Sequence, residues 1–494
     1  MAASLLTSGP ANPGRPAGIS GGTGGIPHAV SVRLPLRFMV TGVLAFMAGV
    51  ACLVLRPDIL ATYHYNQYVI ATTHLFVLGW ISSVVMGAMY QLVPVALETK
   101  LYSERLARWH FILHLVGFVG MVWMFWKWDM KQVGHFGSVF GVGVLLFLYN
   151  LGRTLLRIPH WNTVGVAVAS ALAWFGMAIL AGLMIAAGKC SYETGAATGA
   201  TTMWSGLIEF LEQAGRYATR FDQMAAMHAH AHLGAVGVFV MLIVGISYKL
   251  VPMFSLSEVQ KPWRAALSVA LINLGLGGAF VTILLRSPFK LAFTLLTIAG
   301  LVFYGFELSA ILAARKRRTL DGALIQFITA LTLLVPTAGL AVVLSWPGLP
   351  LTLFTGQLEN LYGFVGLIGV VSLAITGMLY KILPFLVWYS SYGGLIGKRK
   401  LPALADLYSA RLQKIGFILY LLGLTITAAG IVLSNVWLCR TGAAVLGLSG
   451  IFFVVNVGKI LSHLRAPREE AATRGVNAQL ASLSPKSVGM NQSL

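Results

Sequence analysis

The chain has 494 residues, of which 57% are hydrophobic and 10% charged, and its mean hydropathy is +0.80. Soluble domains carry about 25% charged residues, so a soluble multidomain protein, a disordered chain and a coiled coil are all excluded. The formal charge of +20 sits mostly in short gaps between long apolar stretches, where it records membrane topology, and no nucleic-acid partner is expected.

Residues 1–32 are rich in Gly, Pro, Ser and Ala and lack the apolar core of a signal peptide, so they read as a flexible tail. Residues 464–494 read the same way, which leaves 33–463 as the membrane domain. A spanning helix needs about 20 apolar residues. Twelve segments qualify, at roughly 33–56, 67–94, 106–128, 135–155, 162–187, 223–252, 265–286, 289–313, 323–345, 356–386, 411–434 and 440–463. The gap at 188–222 is acidic, with Glu193, Glu209, Glu212 and Asp222, and Thr201 to Phe221 reads as an interfacial helix. The fold class is therefore an all-α, polytopic membrane protein.

Basic residues cluster after even-numbered helices: Lys100, Arg105 and Arg108; Arg153 and Arg157; Lys261 and Arg264; Arg315 to Arg318; Lys398 to Lys400. That bias places both termini in the cytoplasm, in a cytoplasmic (inner) membrane. Cys52, Cys190 and Cys439 are too scattered for a disulfide scaffold or a thiolate metal site, and no Cys-x-x-Cys-His is present.

One motif occurs three times. It runs His74, Gly79, Gly87, Tyr90, Pro94; then His232, Gly237, Gly245, Tyr248, Pro252; then Phe364, Gly369, Gly377, Tyr380, Pro384. The offsets are identical and the copies fall on helices two, six and ten, so the bundle is built from three four-helix repeats. The glycines mark close approach of neighbouring helices or of a flat ligand, and each proline is expected to stop its helix. Polar groups inside a membrane are costly and tend to be functional. His74 and His232 share one slot of the repeat at matched depth, where two imidazoles could clamp a planar haem. The alternative is that each imidazole bonds a carbonyl or water.

The run His228-Ala229-His230-Ala231-His232 puts 228 and 232 on one helix face and 230 on roughly the opposite one. Such a helix can address two cofactors. His64 and His135 fall near the same side of the membrane, and with His228 they are candidate ligands for copper, which favours several imidazoles. His110 and His114 read as structural, near an interfacial Trp109. Glu307, with Tyr304 one turn earlier, is the clearest intramembrane ionisable residue, a candidate for proton uptake or a buried hydrogen-bonded group.

The stretch from Thr73-His74 to Gln91-Leu92-Val93-Pro94, together with His230-Ala231-His232-Leu233, resembles the histidine helices of subunit I of the haem–copper oxidase superfamily, including its nitric-oxide-reductase branch. That resemblance implies twelve helices in three units, a low-spin b-type haem on His74 and His232, and His230 facing a second haem. It also implies electron donors at the outer face (a c-type cytochrome, a cupredoxin or quinol), a small gas such as O2 or NO as substrate, and accessory membrane subunits. The sequence departs from the family in three ways. The histidine-x-histidine pair lies on the sixth helix instead of the tenth, the tenth carries Tyr362 and Phe364, and the seventh has no histidine for a copper centre. The expected function is a haem-binding oxidoreductase subunit acting in electron transfer or gas reduction. Alternatives are a haem or copper transport or assembly factor, suggested by Met224 and Met227 beside the histidine run, and a structural or quinone-binding subunit.

Overall fold

The structure is a computed structural model that describes residues 31–194, 213, 220–396 and 400–465. The two tails and the interfacial helix expected between Thr201 and Phe221 lie, except at their edges, outside the described residues. All regular structure among the described residues is helical. Among the described residues, twelve helices are long and apolar enough to cross a membrane: α1 Arg33–Leu55, α2 Gln67–Ala96, α3 Glu104–Lys127, α4 Met130–Leu155, α5 Thr163–Lys189, α6 Gln223–Ser255, α7 Pro262–Leu284, α8 Lys290–Ala313, α9 Gly322–Ser345, α10 Leu353–Leu395, α11 Ala410–Val432 and α12 Val436–Ser462. Large apolar side chains on the outer faces, such as Trp123, Leu145, Leu180 and Leu274, are exposed, as expected of a surface that faces lipid.

Two of the prolines lie in the last turn of their helices, which end at Ala96 and Ser255, whereas the helix of the third copy runs on past Pro384 to Tyr392. Pro94, Pro252 and Pro384 lie inside α2, α6 and α10. A proline forfeits one backbone hydrogen bond, a loss that neighbouring helices compensate in a membrane bundle.

The repeat has a structural counterpart. Each of α2, α6 and α10 changes to π-helix immediately after the slot residue, over Leu75–Ser82, Leu233–Val240 and Val365–Ser372. Such segments are uncommon and concentrate at functional sites. Hydroxyls take carbonyls within these segments: Ser83 donates to Leu78 (3.3 Å), Ser372 to Leu367 (2.8 Å) and Tyr420 to Ile368 (2.7 Å). The repeat glycines serve helix packing. A Cβ at Gly87 would lie 2.6 Å from that of Phe38 on α1, one at Gly245 2.3 Å from that of Ala167 on α5, and one at Gly377 2.9 Å from the Ala323 carbonyl on α9. In each unit the second helix thus packs backbone-close on the first.

A further repeated device explains Glu307. In the first unit Asn150 on α4 accepts from the amide of Ser103 (2.9 Å) and donates to its carbonyl (2.7 Å). In the third unit Asn456 on α12 does the same with Ser409, at 2.8 and 3.1 Å. In the second unit the place is taken by Glu307 on α8, which accepts from the amides of Gln260 (2.6 Å) and Lys261 (2.8 Å). Each clamp holds the chain as it enters the third helix of its unit. Glu307 is fully buried and stands where the other two units use asparagine, and Tyr304 packs against Tyr248 and bonds Ser247 at 2.9 Å.

Candidate functional site

The second helices of the three units, α2, α6 and α10, converge around a cavity of about 910 Å³. Its wall contains His64, His74, His228, His230, His232, Glu359 and Tyr362, set among Phe76, Phe125, Phe140, Phe175 and Phe239. A largely apolar cavity of this size with a few convergent polar groups is the usual form of a cofactor site. Lys189, Arg286 and Lys290 lie in its wall near the ends of α5, α7 and the start of α8.

Three of the imidazoles are oriented in the same way. The Nδ1–H of His74 donates to the Ile70 carbonyl (2.8 Å), that of His230 to the Ala178 carbonyl (3.0 Å) and that of His232 to the His228 carbonyl (2.7 Å). A carbonyl only accepts, so Nδ1 must carry the proton in each ring and Nε2 keeps its lone pair. This second contact is what sets the tautomer of a ligating histidine. The structure thus contains the carbonyl bonds of the alternative reading, and in His74 and His230 those bonds leave Nε2 free to bind a metal.

The pairing of the rings differs from the expected one. His74 lies against His230, with ring centres 6.5 Å apart and planes 15° from parallel. His232 lies against Tyr362 instead, with centres 5.8 Å apart, planes at 24° and the Tyr362 hydroxyl donating to Nε2 over 3.3 Å. The repeat accounts for this. The slot residue of one unit meets the residue two positions before the slot in the next, as His74 meets His230 and His232 meets Tyr362. The same offset matches Phe364 with Thr72, whose buried hydroxyl has no partner among the described residues.

The His74–His230 geometry fits a bis-histidine metal. An ion about 2 Å from each nitrogen sets two opposed imidazole centres roughly 6 Å apart with parallel rings allowed. Neither Nε2 has a hydrogen-bond partner among the described residues. Gly182 on α5 makes room for His230, since a Cβ there would lie 3.0 Å from its Cε1. Phe125 packs on His74 with centres 4.5 Å apart.

The other candidates are placed as follows. His64, in the loop between α1 and α2, brings Nε2 to 3.0 Å from Nε2 of His228 and Nδ1 to 3.5 Å from Glu359. Burial pushes its imidazole below the ordinary histidine value. His135 is exposed on α4, near Gln132 (3.3 Å), and is not part of this group. Glu307 and Tyr304 do not line the cavity. His110 and His114 are wholly buried and pair with the Tyr90 hydroxyl (2.9 Å) and the Ser83 hydroxyl (2.7 Å). Two residues missed by sequence reasoning are Tyr362 as the neighbour of His232 and Glu359 as the neighbour of His64. The two-residue offset between repeats would have pointed to the first, whereas nothing in the local sequence pointed to the second.

Comparison with known proteins agrees with this architecture. Residues 24–133 match the family described as cytochrome c and quinol oxidase polypeptide I. A bacteroid cytochrome c oxidase subunit 1 homolog from Bradyrhizobium diazoefficiens is 41% identical over 70 residues, covering 14% of this chain and 13% of that one. A cytochrome c oxidase subunit 1 homolog from Agrobacterium tumefaciens is 27% identical over 126 residues, covering 25% and 21%. Cytochrome c oxidase subunit 1 from Rhodobacter capsulatus is 28% identical, covering 21% and 26%. The matched segments thus span only 13% to 26% of these relatives.

Proposed function

We propose that this chain, a divergent relative of the haem–copper oxidase subunit I superfamily, is a multi-pass membrane electron-transfer protein that holds a b-type haem between His74 and His230. The observation that carries this reading is the near-parallel pair of rings 6.5 Å apart, each with Nδ1 tied to a carbonyl and Nε2 left to bind. His74 and His230 would hold such a haem, which would supply one-electron redox chemistry there. The Ile70 and Ala178 carbonyls fix the ring orientations, and the phenylalanine wall keeps water from the faces of a flat apolar ligand. Lys189, Arg286 and Lys290 offer positive charge to its carboxylates.

The basic loops support a cytoplasmic-membrane location with both termini inside, which puts His64 and the cavity mouth on the outer side. Electrons then arrive there from a c-type cytochrome or cupredoxin partner, or from quinol, with accessory membrane subunits completing the assembly. A second reading extends the function to reduction of O2 or NO, and the His232–Tyr362 pair favours it. That position offers one imidazole and, opposite it, a phenol able to donate a proton, so a second haem there would have a single histidine ligand.

The test is a reduced-minus-oxidised visible spectrum of the purified protein. b-type bands that disappear in His74→Ala support the reading, and their absence from the wild-type chain overturns it. Binding of CO to the reduced protein, lost in His232→Ala, is the outcome expected of the second reading. A spectrum insensitive to CO rejects that second reading alone.

A further inference from the structure

The group formed by His64, His228 and Glu359 has no part in the haem pair. Each four-helix unit contributes one member: His64 precedes α2, His228 lies in the second turn of α6 and Glu359 in the second turn of α10. One donor atom from each lies within 4.8 Å of the others. His64 Nδ1 is buried without a hydrogen bond. Among the described residues no Lys or Arg nitrogen lies within 4.0 Å of the Glu359 carboxylate; its ion-pair neighbour is His64. Lys290 is near both Glu359 and His228 without touching the carboxylate, so the group is a carboxylate and two imidazoles with room for a directly bound cation.

We propose that His64, His228 and Glu359 bind one late first-row divalent transition-metal ion, Zn²⁺ or Cu²⁺, which ties the three four-helix units together at the mouth of the cavity. Two imidazole nitrogens and a carboxylate oxygen suit these borderline ions, and affinity along the series peaks at copper. Bond lengths of about 2.0–2.2 Å to such donors set neighbouring donor atoms roughly 3–3.5 Å apart. The 3.0 Å contact between Nε2 of His64 and Nε2 of His228 already lies in that range, whereas the 3.5 Å contact of Glu359 is to the other His64 nitrogen, Nδ1. A single ion engages one nitrogen of His64, and rotation about the Glu359 side-chain bonds brings in the third donor. The His228 carbonyl also accepts from His232, so an ion on His228 sits one helical turn from the residue facing Tyr362. This proposal is independent of the haem reading.

The experiment uses the full-length protein in detergent, stripped with EDTA and titrated calorimetrically with ZnCl₂ and separately with CuCl₂. The expected result is one equivalent per chain for at least one of the ions, the titrations showing which. Glu359→Gln and His64→Ala should each weaken binding at least about 10-fold, the lower end of what even outer-shell changes cost a metal site. His135→Ala should leave it unchanged, and an unaltered helical circular-dichroism spectrum shows that each variant is folded. Absence of saturable binding of both ions overturns the proposal, and so does equal affinity in wild type, Glu359→Gln and His64→Ala.

Discussion

Replacing Gly182 with alanine sets one methyl group against the ring of His230. The new Cβ would lie 3.0 Å from Cε1 and 3.6 Å from both Nδ1 and Nε2, whereas carbons in contact prefer about 3.5–4.0 Å. The ring must withdraw by about 0.5 Å, which is enough to strain or break its 3.0 Å bond to the Ala178 carbonyl. A hydrogen bond of this kind contributes about 0.5–1.5 kcal/mol, so haem affinity should fall roughly 2- to 10-fold. Alanine is meanwhile favoured over glycine inside a helix by about 0.8–1.0 kcal/mol, which roughly offsets the strained bond in the apoprotein, so its melting temperature should stay close to that of the wild type. The two readouts therefore separate the cofactor site from the fold. Haem titration followed by absorbance gives the first, and a circular-dichroism melt of the apoprotein gives the second. Gly176→Ala on the same helix is the control, because its Cβ meets only the end of the Leu148 side chain, at 3.3 Å. Unchanged haem affinity in Gly182→Ala, or an equal loss in Gly176→Ala, would refute the reasoning.

Other perturbations test separate parts of the account. Tyr362→Phe should leave the low-spin spectrum unchanged, since Tyr362 bonds His232 and not His230; a lost or shifted low-spin band would contradict the pairing. Asn150→Leu removes both bonds to Ser103 and should cost about 2–4 kcal/mol, because it leaves backbone groups unpaired; denaturant titration measures this. Glu307→Gln keeps an oxygen that can accept from the Gln260 and Lys261 amides and should leave the melting temperature close to that of the wild type, whereas Glu307→Leu should lower it by leaving both amides unpaired. Asp222 caps α6 by accepting from the Ala225 amide (2.9 Å), so Asp222→Ala should cost about 1 kcal/mol at neutral pH. That same bond, with Arg286, holds its carboxyl below the ordinary range. The contribution is therefore complete above about pH 4 and is lost as the pH falls through the lowered value, which parallel melts at pH 3 and pH 7 would show.

Most of the architecture was legible in the sequence because membrane spans are long, apolar and punctuated by charge. The helix starts differ from expectation by at most a few residues, as at α4, which begins at Met130 and not near His135. The helix of the third unit runs on past Pro384 because the packing of a membrane bundle tolerates the missing bond. The repeat revealed the slot residues but not their partners. Identity of position suggested that His74 and His232 face each other, whereas units related by rotation bring a slot against a different register of the next unit. The π-helical turn after each slot left no mark in the apolar periodicity. For Glu307 the sequence left proton uptake and a buried hydrogen-bonded group both open, because it shows only an acidic intramembrane residue. Only alignment of the third-helix entries at Ser103, Lys261 and Ser409 shows it standing where the other units use asparagine. The group at Glu359 is a tertiary arrangement of three distant segments and left no local signature.

The central claim is that His230, not His232, is the partner of His74. The most direct measurement compares the reduced-minus-oxidised spectra of His230→Ala and His232→Ala, each purified alongside the wild type and checked for helical content. The account predicts that the low-spin b-type bands are lost in His230→Ala and kept in His232→Ala. Bands that survive in His230→Ala and vanish in His232→Ala would contradict it.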